Sequence, residues 1–131
     1  MSTDPRYSDE VLLRLRELPG AGDLPAGSVA ALGRAGDREQ GAEAELAFAV
    51  RQGRVVDARF RAFGCPHFLA GASWLTERLL GARREDLATW DWREAAEALA
   101  VPAAKYGRLL TLQDAVRAAA RNWPGAAGST V

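Results

Sequence analysis

The chain is nearly devoid of the residues that build metal centres and disulfides. Its 131 residues include one cysteine, Cys65, one histidine, His67, and one lysine, Lys105. A single thiol excludes an internal disulfide and a cysteine-rich metal site within one chain. A single imidazole excludes a histidine-rich one. There is no excess of charge: 17 basic residues face 17 acidic ones. No basic block stands out, so nucleic acid is not an expected partner. No apolar run approaches the roughly 20 residues of a membrane span, so no membrane partner is expected. Met1-Ser2-Thr3-Asp4-Pro5 has neither the basic nor the apolar region of a signal peptide, and the expected compartment is the cytoplasm. No internal repeat is present.

What remains has globular composition, 48% hydrophobic and 26% charged. The length fits a single domain over residues 1–131, with about 6–122 ordered and a frayed tail over 123–131. Tyr7 to Leu18 carries Val11, Leu12, Leu15 and Leu18 at helical spacing. Ser8 stands as its cap and Pro19-Gly20 as its stop. Residues 19–27, rich in glycine and proline, read as a loop or loose arm. Residues 28–36 are ambiguous, with a short strand as one reading. Glu45 to Val50 alternates at period two. Val55 to Phe63 alternates with mixed phase, and Gln52-Gly53 lies between as a tight turn, so the pair predicts a β-hairpin. From Pro66 the period turns helical up to Gly81. Short helices are expected at 83–88 and at 92–99, the second capped by Asp91. A long one is expected from Pro102 to about Asn122. Strands and helices are segregated, which predicts an α+β fold: a small antiparallel β-sheet with helices packed on one face.

Few residues could carry chemistry. Cys65 follows a strand and starts a helix, a position that favours a thiolate and suits a metal ligand or a sulfur acceptor. The alternative is an inert buried cysteine. His67, two residues on, reads as a capping or surface histidine, because Cys-x-His alone does not make a zinc site. Asp37, Glu39, Glu43 and Glu45 could attract a hard cation, though a solvated strand edge explains them as well. No nucleophile–base pair is visible, so no enzyme is expected. Trp90 and Trp92 flank Asp91, with at least one expected to plug the core.

Val55 to Leu80 reads V-V-D-A-R-F-R-A-F-G-C-P-H-F-L-A-G-A-S-W-L-T-E-R-L-L. This block resembles the heart of the iron–sulfur cluster assembly scaffold family, the IscU and NifU N-terminal domain type. Asp57-Ala58-Arg59-Phe60, Phe63-Gly64-Cys65, Ser73, Thr76 and Glu77 match its pattern. Tyr7-Ser8-x-x-Val11 resembles its first helix, and Asp114-Ala115-Val116-Arg117-Ala118-Ala119 its last. The resemblance spans roughly residues 6–122.

It also implies ligands that this chain lacks. The family holds its cluster with three cysteines, helped by an aspartate and a histidine. The first cysteine position falls on Gln40 and the aspartate on Ala42 or, if Gly36-Asp37 is the family's G-D, the cysteine falls on Ala35. The histidine and third cysteine fall on Gly107 and Arg108. Only Cys65 survives, and an Fe–S cluster usually needs about four ligands. The expected function is that of a scaffold-like protein with a degenerate ligand set, acting by partner binding or by sulfur relay through Cys65. No cofactor is expected on the isolated monomer. A cluster shared between chains through Cys65 and His67, or a purely structural or regulatory binding module, are the alternatives. The resemblance implies a cysteine desulfurase or other Fe–S assembly proteins as partners. The family's chaperone-recognition segment is reduced here to Pro102 and Lys105.

Overall fold

The computed structural model describes residues 6–125. Helix α1 (Asp9–Glu17) is followed by strands β1 (Ala30–Asp37), β2 (Ala42–Arg51) and β3 (Arg54–Phe63). Helices α2 (Pro66–Arg78), α3 (Arg84–Ala88), α4 (Arg93–Ala98) and α5 (Tyr106–Arg121) complete the chain. Single 3₁₀ turns occupy Arg38–Gln40 and Ala103–Lys105. The strands form one antiparallel sheet in the order β1-β2-β3.

The hairpin predicted for β2 and β3 is present. Gln52 and Gly53 both take positive φ, 53° and 76°, which is the turn that matches strand twist. The mixed phase of β3 has a cause. Ala49 pairs with Asp57 but Val50 with Val55, so Val56 is an extra residue, a β-bulge. Val55 and Ala58 therefore both point inward, while Val56 is exposed. The ambiguous stretch is a strand one element long, β1, and its inward-facing Gly33 is required. A Cβ there would lie 1.9 Å from the Ala115 carbonyl oxygen, so β1 rests directly on the backbone of α5.

One face of the sheet, including Leu46, Phe48 and Phe60, is buried against α2 and α5 through Phe68, Leu75, Leu112 and Val116. The other face carries the cross-strand charge row Arg34, Glu45, Arg61. Trp90 plugs the core, and Trp92 packs against Tyr106 with the rings tilted by 48° and their centroids 4.7 Å apart. Ser8 caps α1 as expected, accepting from the Val11 N–H at 3.2 Å and donating to the Leu99 carbonyl at 2.6 Å.

Three details differ from the sequence reading. The last helix begins at Tyr106, because Pro102 and the 3₁₀ turn after it precede the α-helical register. The Asp91 carboxylate does accept a bond at the start of α4, from the Arg93 N–H at 2.8 Å, but Trp92 is the residue that flanks the helix. That bond holds the Asp91 carboxyl below the usual range. Trp123, assigned to the tail, packs half-buried on the core, and residues 126–131 lie outside the described residues. Among the described residues no helix is long and apolar enough to cross a membrane.

Candidate functional site

Gly64 and Pro66 set the position of Cys65. A Cβ on Gly64 would lie 2.7 Å from the Phe68 ring, so only glycine lets α2 turn back this tightly onto β3. Pro66 opens α2 with its missing N–H where none is needed. Cys65 is the N-cap in extended conformation (φ −70°, ψ 166°), and its side chain makes no capping hydrogen bond. Its carbonyl accepts the first helical bond, from the Leu69 N–H at 3.0 Å. The thiol is free and half-buried.

His67 is a correction to the sequence reading. It is neither cap nor surface residue: it is 3% exposed, packed against the Tyr7 ring with centroids 4.9 Å apart. Neither ring nitrogen has a partner at hydrogen-bond geometry among the described residues, although the Arg6 backbone comes near enough to favour the charged form slightly. Burial, and then the nearby Lys105 cation, push its pKa below the usual value near 6.5, so the imidazole is held neutral.

The positions implied as lost ligands are occupied by chain-to-chain contacts. Arg108, in the first turn of α5, donates from Nη1 to the Gln40 carbonyl at 3.1 Å. Gly41, left-handed at φ 93°, ends the 3₁₀ turn. A Cβ on it would stand 3.1 Å from Arg108 Nη2. Of the two candidate first-cysteine positions, Gln40 is the one that meets Arg108. Ala35 stays within β1, opposite Ala44. Ala42 is buried and pairs with Asp37. Gly107 is exposed, with open space where a Cβ would go. Pro102 is exposed, and its carbonyl accepts from the Lys105 N–H at 2.9 Å. The Gln40 turn approaches the strand that leads to Cys65: the Arg38 guanidinium lies 4.9 Å over the Phe63 ring, two residues before the thiol.

The acidic cluster has structural partners. Asp37 caps the 3₁₀ turn through the Glu39 N–H at 2.8 Å, and Glu43 pairs with Arg34 and Arg38. Among the described residues no group of three or more His, Cys, Asp or Glu is placed to hold a metal ion.

The second half of the matched block serves architecture. Ser73 donates to the Pro19 carbonyl at 2.7 Å and accepts from Arg14 Nη1 at 3.2 Å. Arg14 also pairs with Glu77. Thr76 Oγ1 packs where a Cβ on Gly20 would collide with it. The Phe60 N–H donates to the Gly20 carbonyl and the Gly22 N–H to the Phe60 carbonyl, at 2.8 and 2.9 Å. Asp23 pairs with Arg61, which holds the Asp23 carboxyl below the usual range. Residues 19–23 are therefore an arm, one of the two forms expected for this stretch, but clamped to the β3 edge and not loose. Its attachments are two backbone bonds to Phe60, the Ser73 hydroxyl on the Pro19 carbonyl and the Asp23–Arg61 pair, and the backbone bonds are invisible in a side-chain pattern.

A three-stranded antiparallel sheet backed by helices, with an extended arm on its edge and a cysteine at the β3–α2 junction, defines an α+β fold of the scaffold type. The NifU-like N terminal domain model matches residues 6–129, and the chain belongs to that family. Iron-sulfur cluster assembly protein 1 of Arabidopsis thaliana is 36% identical over 73 residues, 56% of this chain and 44% of that protein. The iron-sulfur cluster assembly scaffold protein IscU of Azotobacter vinelandii is 35% identical over 72 residues, 55% of this chain and 56% of its own. The matched stretch thus spans about half the length of these curated relatives. The crystal structure of a NifU-like protein (N-terminal) from Brucella abortus superposes with a TM-score of 0.66 at 18% identity, covering 89% of this chain and 93% of that one.

Proposed function

We propose that this family member takes part in iron–sulfur cluster assembly without itself holding a cluster, as a partner-binding protein that accepts sulfur on Cys65. The observation that carries this reading is the Arg108–Gln40 hydrogen bond. By the family pattern two thiolates would belong at these positions. Here a permanently charged guanidinium and a backbone carbonyl are bonded to each other instead. A cation repels iron, and Cys65 alone cannot complete the roughly four ligands of a cluster. The buried His67 does not help, because reaching a second chain would require uncovering it.

A lone thiol can still carry sulfur. The Cys65 thiolate attacks the outer sulfur of a cysteine desulfurase persulfide. The S–S bond of that persulfide breaks, the desulfurase cysteine leaves as thiolate, and Cys65 keeps the persulfide. The chain then acts as carrier and binding partner, not as an enzyme. Pro102 and Lys105, next to the α5 start, belong to the surface offered to partners.

The test is incubation with a cysteine desulfurase and free cysteine, read by intact mass. Gain of one sulfur atom on the wild type and none on Cys65→Ser is the expected result. A Cys65 that gains no sulfur in the native protein, but alkylates after denaturation, would leave a binding module without sulfur chemistry.

A further inference from the structure

At the far end of α5 from Arg108, about 20 Å along the helix axis, a cleft of about 270 Å³ opens between α3 and the last turns of α5. It is lined by Arg84, Glu85, Ala88, Arg117, Ala120 and Arg121. We infer that this cleft is a binding site for a phosphate dianion carried by a small solute.

Arg14, Arg34, Arg38, Arg59, Arg61, Arg78 and Arg93 each pair with a carboxylate. The three arginines of the cleft have no carboxylate within ion-pair distance among the described residues, although Glu85 lines the same space. Glu85 in the lining and Asp91, which feels the Arg117 charge from the α3–α4 loop, offset only part of the three guanidinium charges, and an anion in the cleft would offset the rest.

Two of the three are fixed in place. Arg84 Nε donates to the Ala120 carbonyl at 3.0 Å, and Arg117 Nε donates to the Trp90 carbonyl at 3.1 Å. Each spends its Nε on the protein and keeps its terminal amino groups. A fork held this way loses less entropy on binding than a free side chain. Attraction of cations to the carbonyl end of α5 accounts for Arg84 and Arg121. It does not account for Arg117, whose anchor is the loop between α3 and α4.

The chemistry of the ligand follows from the lining. Three guanidiniums and one carboxylate leave a formal charge of two, matched by a dianion. A tetrahedral oxyanion offers enough acceptors for several forks at once. The methyls of Ala88 and Ala120 leave room for close approach. The charge is confined to one cleft and does not run as a stripe, which favours a small solute over a nucleic-acid backbone.

The site is independent of the sulfur chemistry and is tested without it. Inorganic phosphate and pyrophosphate are titrated into the full chain, with thermal midpoint and amide NMR shifts as readouts and potassium chloride at matched ionic strength as control. The expected result is a saturable rise in the midpoint with phosphate, with shifts centred on residues 84–88 and 117–121, and pyrophosphate shows whether the cleft admits a second phosphoryl group. Arg121 makes no hydrogen bond or ion pair with a described residue, so Arg121→Ala keeps the fold. It should weaken binding about tenfold or more, the expectation for one lost charge-assisted bond, with tenfold being about 1.4 kcal/mol. Arg16→Ala, on α1, should change nothing. Absence of saturation, an equal response to chloride, or equal affinity in Arg121→Ala and the wild type would overturn the proposal.

Discussion

The two ends of α2 have had different fates. Around its C-terminal half, Ser73, Thr76 and Glu77 clamp the arm and α1 through Arg14, Pro19 and Gly20. These are residues of the block that resembles the family, and each has a partner in this chain. At its N-terminus Cys65 stands as the one thiol, while Arg108 and Gln40 bond each other and Arg38, in the same turn as Gln40, lies over the Phe63 ring two residues before the thiol. Architecture rests on many contacts, each worth one or a few kcal/mol. Metal ligation rests on a handful of side chains, each indispensable. A sequence can therefore lose its ligands while its fold persists, and the D-A-R-F and S-x-x-T-E segments read as packing as much as chemistry.

The largest effect is expected where β1 packs on α5. Gly33→Ala drives a methyl into the Ala115 backbone, which neither β1 nor α5 can yield cheaply. Overpacking of this kind costs about 3 kcal/mol, and urea denaturation of the variant should show it. Next comes the clamp. Ser73→Ala removes a bond to Pro19 and leaves Arg14 with a lost partner beside its buried, unbonded Nε. An expected loss of about 1–2 kcal/mol, with increased amide exchange over residues 19–23, checks it.

A smaller effect comes from His67. Its pKa is lower in the fold than in the unfolded chain, so the unfolded state binds more protons as the pH falls. Stability should be full above about pH 6.5 and decline as the pH drops through the lowered folded value. It is the only histidine, and Asp23 and Asp91 titrate lower, so the slope above pH 5 belongs to it. Denaturation midpoints of the wild type should slope over pH 7 to 5, and those of His67→Leu should be flat. The smallest effect belongs to Arg108→Ala. One bond from a half-buried guanidinium should cost about 0.5–1 kcal/mol. A loss as large as that of Ser73→Ala would mean that the Arg108–Gln40 contact also holds up the fold.

Much of this was legible in the sequence, and the misses share a cause. The hairpin, the Ser8 cap, the core side chains of α2 and α5 and the family all follow from local pattern or motif. The arm was legible as a loop or loose arm, but its clamping was not, because it rests on backbone bonds to Phe60 and on Ser73 and Arg61, both distant in the chain. His67 escaped because its cover is Tyr7, from a segment sixty residues away in the chain. The closeness of Arg108 to Gln40 could be expected from the family pattern, but their hydrogen bond could not, since its acceptor is a main-chain carbonyl. The α5 start was misplaced because Pro102 permits either a helix or the 3₁₀ turn that forms.

The central claim is that the chain does not hold a cluster by itself. Iron and acid-labile sulfide, measured per chain after anaerobic purification and reconstitution, test it most directly. The account predicts neither above background on the monomer, with no visible charge-transfer absorption. About two irons and two sulfides per chain, lost in Cys65→Ser, would contradict it.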